Sequence, residues 1–169
     1  MIDLDIVERN ARRMAEAVAA RGLVLRPHVK THKSVALARI QIGHGAAGIT
    51  VGTLGEAEVM AAGGIDDIFV AYTLWAAGAK ADRLRALHDD AGIRLTVGAD
   101  SIAGVQRLAA AVRGSDRPLR VLLEVDPGNR RTGLAPDRVA DVALAALRLG
   151  LDVAGLFPTA DMATAVRTP

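Results

Sequence analysis

Ten residues, Leu25-Arg26-Pro27-His28-Val29-Lys30-Thr31-His32-Lys33-Ser34, concentrate more reactive side chains than any other stretch of the chain. Two lysines, two histidines, a threonine and a serine follow Val24 and Leu25, which read as the end of a buried strand. Pro27 fits only where ladder pairing stops. An apolar strand ending in a burst of polar groups is how an α/β fold presents chemistry at its carboxyl edge. The chemistry on offer is that of an amine. An ammonium partly desolvated at such an edge, with a second lysine and two imidazoles near it, has a lowered pKa and supplies the free amine of a Schiff base. Lys30 is the expected amine. The same run also fits a solvated basic loop or a phosphate-binding patch.

A second constellation, Glu124-Val125-Asp126-Pro127-Gly128-Asn129-Arg130-Arg131-Thr132-Gly133, directly follows another apolar run. An arginine held by a glycine-bent loop at a strand's carboxyl end offers a planar fork of donors to a carboxylate. A surface arginine in a turn is the plain alternative. Tyr72 and Trp75, after a third apolar run, fit pocket walls or ordinary packing. His44 and His88 fall at expected helix ends, where imidazoles interact with terminal carbonyls. No metal-ligand spacing is present.

These residues need elements to place them, and the chain alternates regularly. Asp3 to Arg21 carries Val7, Ala11, Met14 and Val18 at helical spacing and ends at Gly22. Leu23 to Leu25 is the first predicted strand. Ser34 caps a helix through Val35 to Ile42. Gly48 to Val51 is the second strand, and Thr53 to Glu56 spells a capping box for a helix to Ala62. Glu56 is accordingly expected to cap, not to catalyse. Ile68 to Ala71, Ile93 to Val97, Leu119 to Val125 and Val153 to Phe157 are the remaining strands. Helices are expected at Ala79 to Asp89, from Asp100 or Ser101 to Val112, and from Pro136 to Leu149. Short apolar strands alternating with amphipathic helices imply parallel pairing through right-handed crossovers. Six such units suit either a complete doubly wound sheet or an eight-stranded barrel two units short.

Composition narrows the classes. The chain has 169 residues, enough for one domain with a core. Aromatic residues are 2% of it, so that core is built from Ala, Val, Leu and Ile. Without cysteine there is no disulfide scaffold, thiolate metal site or cysteine nucleophile. A net charge of +2 does not argue for nucleic acid. No apolar run approaches a membrane span, and Met1 leads into charged helical sequence, so the expected location is cytoplasmic. Gly43-His44-Gly45-Ala46-Ala47-Gly48 spells G-x-G-x-x-G, but it follows a helix and precedes a strand. A dinucleotide site needs the opposite order, with the helix amino terminus on the pyrophosphate. A helix-to-strand turn is the reading.

Arg26-Pro27-His28-Val29-Lys30-Thr31-His32-Lys33 resembles the pyridoxal-phosphate lysine segment of the D-threonine aldolase and D-serine dehydratase family, which shares the alanine racemase barrel of fold-type III enzymes. Asp126, Gly128, Arg131 and Gly133 match that group's Asp-x-Gly-x-x-Arg-x-Gly segment, and Thr50 to Glu58 resembles the segment after its second strand. The resemblance implies an α/β fold, an incomplete (β/α)8 TIM-type barrel of about six strand–helix units. It implies pyridoxal 5'-phosphate on Lys30, with Lys33 the secondary candidate. His28 would stack on or bond to the cofactor, Arg131 would face the cofactor or the substrate carboxylate, and His32 would act in proton transfer. The implied activity is a lyase acting on D-amino acids, by aldol cleavage or by dehydration. Racemisation, or a degenerate chain that binds the cofactor without turnover, is the alternative, and an unrelated phosphate-binding domain is a further one. For the complete enzyme the resemblance also implies a divalent metal, whose ligands have no counterpart here, and a homodimer.

The match extends from the first helix to Phe157, about half of a complete family member. Where the family continues Thr-His-Gly-Gly-His, this chain has Pro158-Thr159-Ala160-Asp161-Met162. The expected organisation is a partial barrel domain over residues 1–157 and an aberrant or unstructured tail over 158–169. One deleted base in a codon series for Phe-Thr-His-Gly-Gly-His-Gly-Tyr yields Phe157 through Thr164 as they stand, so a shifted reading frame accounts for the tail. A naturally divergent tail is the alternative. The chain alone is expected to be poorly stable and inactive.

Overall fold

The computed structural model describes residues 2–158, and the expectations for the tail beyond Pro158 lie outside them. Helices α1 (Leu4–Ala19), α2 (Val35–Gly43), α3 (Leu54–Ala62), α4 (Ala79–Asp89), α5 (Ile102–Ala111) and α6 (Val139–Arg148) alternate with strands β1 (Ile49–Val51), β2 (Asp67–Thr73), β3 (Arg94–Ala99), β4 (Arg120–Val125) and β5 (Asp152–Pro158). The strands form one parallel sheet in the order β1-β2-β3-β4-β5. Sequential order with a helix in each crossover is the connectivity of a (β/α)8 barrel, not of a doubly wound sheet, whose order reverses partway.

The helix starts follow from their caps. Asp3, Ser34, Thr53 and Ser101 each accept a first-turn amide through a side-chain oxygen. Pro136 opens a short 3-10 turn, Pro136–Arg138, that runs into α6. On α1 the inward side carries Val7, Ala11 and Val18 as expected, together with the buried Ala15, whereas Met14 is exposed.

Contacts divide the chain into two compact units. The first comprises the residues up to Ala71 together with Asp90–Leu95. Its core includes Val29, Ala38, Ile49, Val51, Ala57 and Ile68, all fully buried. Within it β1 pairs with β2, Ile49 opposite Ile68 and Val51 opposite Val70.

The expected first strand is corrected here. Leu23 and Val24 are exposed, not buried, and Leu23 to Leu25 form no strand. Pairing with the β1 segment comes later and mostly through carbonyls: Leu25 O accepts from Ala47 N, Pro27 O from Thr50 N, and His28 bridges Thr50. Pro27 has no N–H to return, so no ladder propagates. The Arg26 guanidinium instead donates to the carbonyls of Ile49 and Asp67 and meets the Asp67 carboxylate at 2.7 Å.

The second unit comprises Tyr72–Asp89 and the residues from Thr96 on. β3 pairs with β4 (Val97 opposite Val121) and β4 with β5 (Leu123 opposite Leu156). The β4–β5 register shifts at Val121/Leu122, leaving Ala154 as the extra residue of a bulge. Leu84, Val97, Leu108, Val121 and Leu123 are fully buried in its core. His88 departs from its expected role. It is buried, and its Nε2 lies 3.0 Å from the Arg117 carbonyl, while the Arg117 guanidinium donates to the His88 carbonyl. Burial lowers the His88 pKa.

Candidate functional site

The lysine segment folds as a 3-10 turn, Val29–Thr31, anchored by the fully buried Val29. His32 N and Lys33 N both donate to the Val29 carbonyl, at 3.2 and 2.8 Å. An imidazole accepts a backbone amide on each side of the turn: Lys30 N donates to His28 Nδ1 at 3.3 Å, and Ser34 N to His32 Nδ1 at 3.0 Å. This was not legible as a role for either histidine. His32 Nε2 lies 3.4 Å from Gln41 Oε1.

Lys30 is exposed, contrary to the expected partial desolvation. The turn places it on the solvent side because Val29 takes the inward position. Lys33 has a different environment. Its backbone is left-handed, φ 49°, and its Nζ lies 3.1 Å from Glu56 Oε1. Thr53 caps α3, its Oγ1 accepting the Glu56 amide, whereas the Glu56 carboxylate reaches past the expected Thr53 amide to accept from Gly52 N at 2.7 Å. Burial alone would raise the Glu56 pKa; the Gly52 amide, Lys33 and His28 together hold it below the ordinary value. The His28 pKa is lowered, first by burial and then by the Lys30 charge.

The arginine loop belongs to the second unit. Asp126 organises it by accepting from the amides of Gly128 and Arg130. The loop returns to its strand at Leu134, whose amide donates to Glu124 O and whose carbonyl accepts from Asp126 N. Gly133 makes that return possible: at φ 100°, a Cβ there would lie 2.7 Å from Asp126 N. Arg131 is exposed, donates to the Tyr72 hydroxyl at 2.9 Å and stands 5.7 Å from the Tyr72 ring centroid. Tyr72 is therefore the arginine's partner at the end of β2. Trp75 is half exposed, with Arg107 5.3 Å from its ring centroid.

Beneath this loop lies Glu124, to which its place in the sequence alone gives no role. It is buried at the carboxyl end of β4 and accepts from Thr73 Oγ1 at 3.2 Å and Thr132 Oγ1 at 2.7 Å. Its signal was a carboxylate inside an otherwise apolar strand.

Among the described residues no group of three or more His, Cys, Asp or Glu side chains is placed to hold a metal ion. None of their helices is long and apolar enough to cross a membrane.

Sequential parallel strands with a helix in each crossover define a barrel-type α/β protein. Within that class the chain belongs to the alanine racemase N-terminal domain family, which it matches over residues 2–166. It is 40% identical over 137 residues to D-threo-3-hydroxyaspartate dehydratase from Delftia sp., covering 81% of this chain and 35% of that enzyme. To 3-hydroxy-D-aspartate aldolase from Paracoccus denitrificans it is 36% identical, covering 86% of this chain and 38% of that one. The crystal structure of D-threonine aldolase from Filomicrobium marinum superposes with a TM-score of 0.84 at 33% identity, over 92% of this chain and 42% of that one. The chain thus spans between 35% and 42% of the length of these relatives. The resemblance read from the lysine and arginine segments and the partial-barrel fold class are both borne out.

Proposed function

We propose that this chain carries the cofactor-lysine portion of a pyridoxal-phosphate lyase acting on β-hydroxy-D-amino acids, with Lys30 as the attachment residue. The observation that carries the choice of lysine is the pairing of Lys33. Its ammonium is engaged by Glu56 Oε1 at 3.1 Å, so it is committed to an ion pair within the segment rather than offered to a ligand. Among the described residues no hydrogen bond or ion pair holds the Lys30 ammonium, which stands exposed on the 3-10 turn. The exposed Lys30 amine fits the group's aldehyde.

When bound, pyridoxal phosphate supplies an electron sink for the bond that breaks at the amino acid's α-carbon. Lys30 supplies the amine. Arg131, oriented by the Tyr72 hydroxyl and ring, binds a carboxylate or the cofactor. His28 lies at the cofactor lysine and orders its turn. The substrate class rests on relatives named for the aldol cleavage of D-threonine or 3-hydroxy-D-aspartate and for the dehydration of D-threo-3-hydroxyaspartate.

The test is reconstitution of the purified chain with pyridoxal phosphate, borohydride reduction and peptide mass spectrometry. The label is expected on Lys30, and a label on Lys33 would overturn the assignment. Turnover of D-threonine or 3-hydroxy-D-aspartate separates a lyase from a chain that holds the cofactor without catalysis. Racemisation without cleavage would replace the lyase reading.

A further inference from the structure

We propose that His28 is a positioning residue for Lys30: its neutral imidazole, protonated on Nε2, caps the turn that carries the lysine, and protonation of the ring releases that cap. The functional consequence rests on Lys30 being the cofactor lysine; the cap itself is a property of the unliganded chain.

The geometry fixes the tautomer. A backbone amide can only donate, so the Lys30 N–H directed at His28 Nδ1 requires a bare lone pair there. The proton of the neutral ring then sits on Nε2. The same arrangement recurs four residues later, where Ser34 N donates to His32 Nδ1 and His32 Nε2 faces the Gln41 side-chain oxygen, an acceptor. An Nε2–H tautomer satisfies both contacts at once. His28 and His32 thus use one device twice, each ring capping the amide two residues on, and the lysine turn lies between them.

Protonation removes the device. Imidazolium carries N–H on both nitrogens and cannot accept from Lys30 N. The charged groups facing the ring are Lys30 on its own turn and, from α3, Glu56, whose carboxylate is shared with Lys33; from β1 the Thr50 backbone hydrogen-bonds it. Burial and Lys30 disfavour the charged ring, and they outweigh Glu56 and Thr50. The cap is therefore in place at neutral pH and is lost below the ordinary imidazole range.

The experiment is nitrogen-15 NMR on the full unliganded chain. Ring couplings should report the Nε2–H tautomer at His28 near pH 7. The Lys30 amide shift should titrate together with the ring, inflecting below about 6.5. His28→Asn places Oδ1 where Nδ1 stood and does not titrate, so Lys30 amide protection should persist into acid. His28→Ala should speed Lys30 amide exchange roughly tenfold at neutral pH, a cap's worth of stabilisation. In pyridoxal-phosphate loading, the rate of reductive labelling at Lys30 should fall in His28→Ala and return in His28→Asn. An Nδ1–H ring, or a Lys30 amide indifferent to pH and to both substitutions, would overturn the proposal. If His28→Ala does not fold, the wild-type titration and the asparagine variant still decide it. A label absent from Lys30 would defeat the cofactor assignment while leaving the amide measurements to judge the cap.

Discussion

The Lys33 ammonium lies 3.1 Å from a Glu56 oxygen, and the other Glu56 oxygen accepts the Gly52 amide at 2.7 Å. One carboxylate thereby joins the lysine segment to the turn between β1 and α3. The pair is asymmetric: the Glu56 side chain is 12% exposed and that of Lys33 65%. Most of its value consequently resides in the charge-assisted bond to Gly52, since half-exposed ion pairs contribute little. Glu56→Gln keeps an acceptor for Gly52 but loses the charge, and we expect a stability loss of about 1 kcal/mol by urea unfolding. The same variant releases Lys33, so borohydride labelling should now reach Lys33 as well as Lys30. Labelling confined to Lys30 in Glu56→Gln would mean that the ion pair does not discriminate between the lysines.

Acidification should destabilise the chain in two stages. The folded pKa values of His28 and His88 are lowered, mainly by burial, so the unfolded chain takes up protons first as pH falls below about 6.5. Stability therefore declines from that pH down to the folded values and then levels for these two groups. Glu56 is a lowered carboxyl: its contribution is intact above the unfolded value of about 4.3 and is lost as pH falls through the lower folded one. Urea midpoints measured from pH 8 to 3 should show both declines. His88→Gln should remove part of the upper one, and a midpoint flat between pH 7 and 5 would contradict the burial argument.

Arg131 should bind and Tyr72 should orient it. Arg131→Ala is expected to weaken pyridoxal-phosphate or carboxylate binding about tenfold, the loss of one charge-assisted contact. Arg131→Lys should recover little, because an ammonium offers neither the fork nor the stacking face. Tyr72→Phe keeps the ring beneath the guanidinium and removes only the hydroxyl at 2.9 Å, so its effect should be the smaller one. Fluorescence titration of the three variants checks the order. A Tyr72→Phe loss equal to that of Arg131→Ala would show that the hydroxyl, not the arginine, binds.

What was legible in the sequence was local. Ser34, Thr53 and Ser101 announce their helices because a cap acts within three residues, and α4 follows its expected bounds to the residue. Parallel pairing was legible from alternation alone, but the strand order was not, because six units suit a doubly wound sheet as well as a barrel. The misreadings share a cause, namely partners distant in sequence. Leu23 and Val24 have strand composition, yet whether a strand forms depends on amides returned to β1, and Pro27 has none to return. Tyr72 and Arg131 are 59 positions apart, and Glu124 finds Thr73 at 51. No spacing rule reaches so far. The histidine caps were missed for a different reason: a His-x-Lys step signals chemistry, and its structural use of Nδ1 appears only when the backbone turns.

The glycine-rich run between α2 and β1 offers the sharpest test of residue-level packing, because its three glycines are required to different degrees. Gly43 has open space where a Cβ would be and ends α2, so Gly43→Ala should be neutral or stabilise by a few tenths of a kcal/mol through helix propensity. Gly45 has room too, its nearest neighbour being Ala15 Cβ at 3.9 Å, but its φ is 107°, which an L side chain rarely adopts. Gly45→Ala should cost about 1 kcal/mol, all of it backbone strain. Gly48 has neither a positive φ nor room: a Cβ would lie 2.4 Å from Arg26 Nη1 and 2.6 Å from the Asp67 carbonyl. The arginine tip can move, but only by leaving the Asp67 carboxylate it meets at 2.7 Å, and the carbonyl belongs to β2. Gly48→Ala should therefore cost about 2–3 kcal/mol, as overpacking against fixed backbone does. Urea denaturation of the three variants should give the order Gly43, Gly45, Gly48. If Gly48→Ala is tolerated, the Arg26–Asp67 contact does not fix the segment leading to Lys30; if Gly43→Ala is the costly one, the run is held by something other than packing and φ.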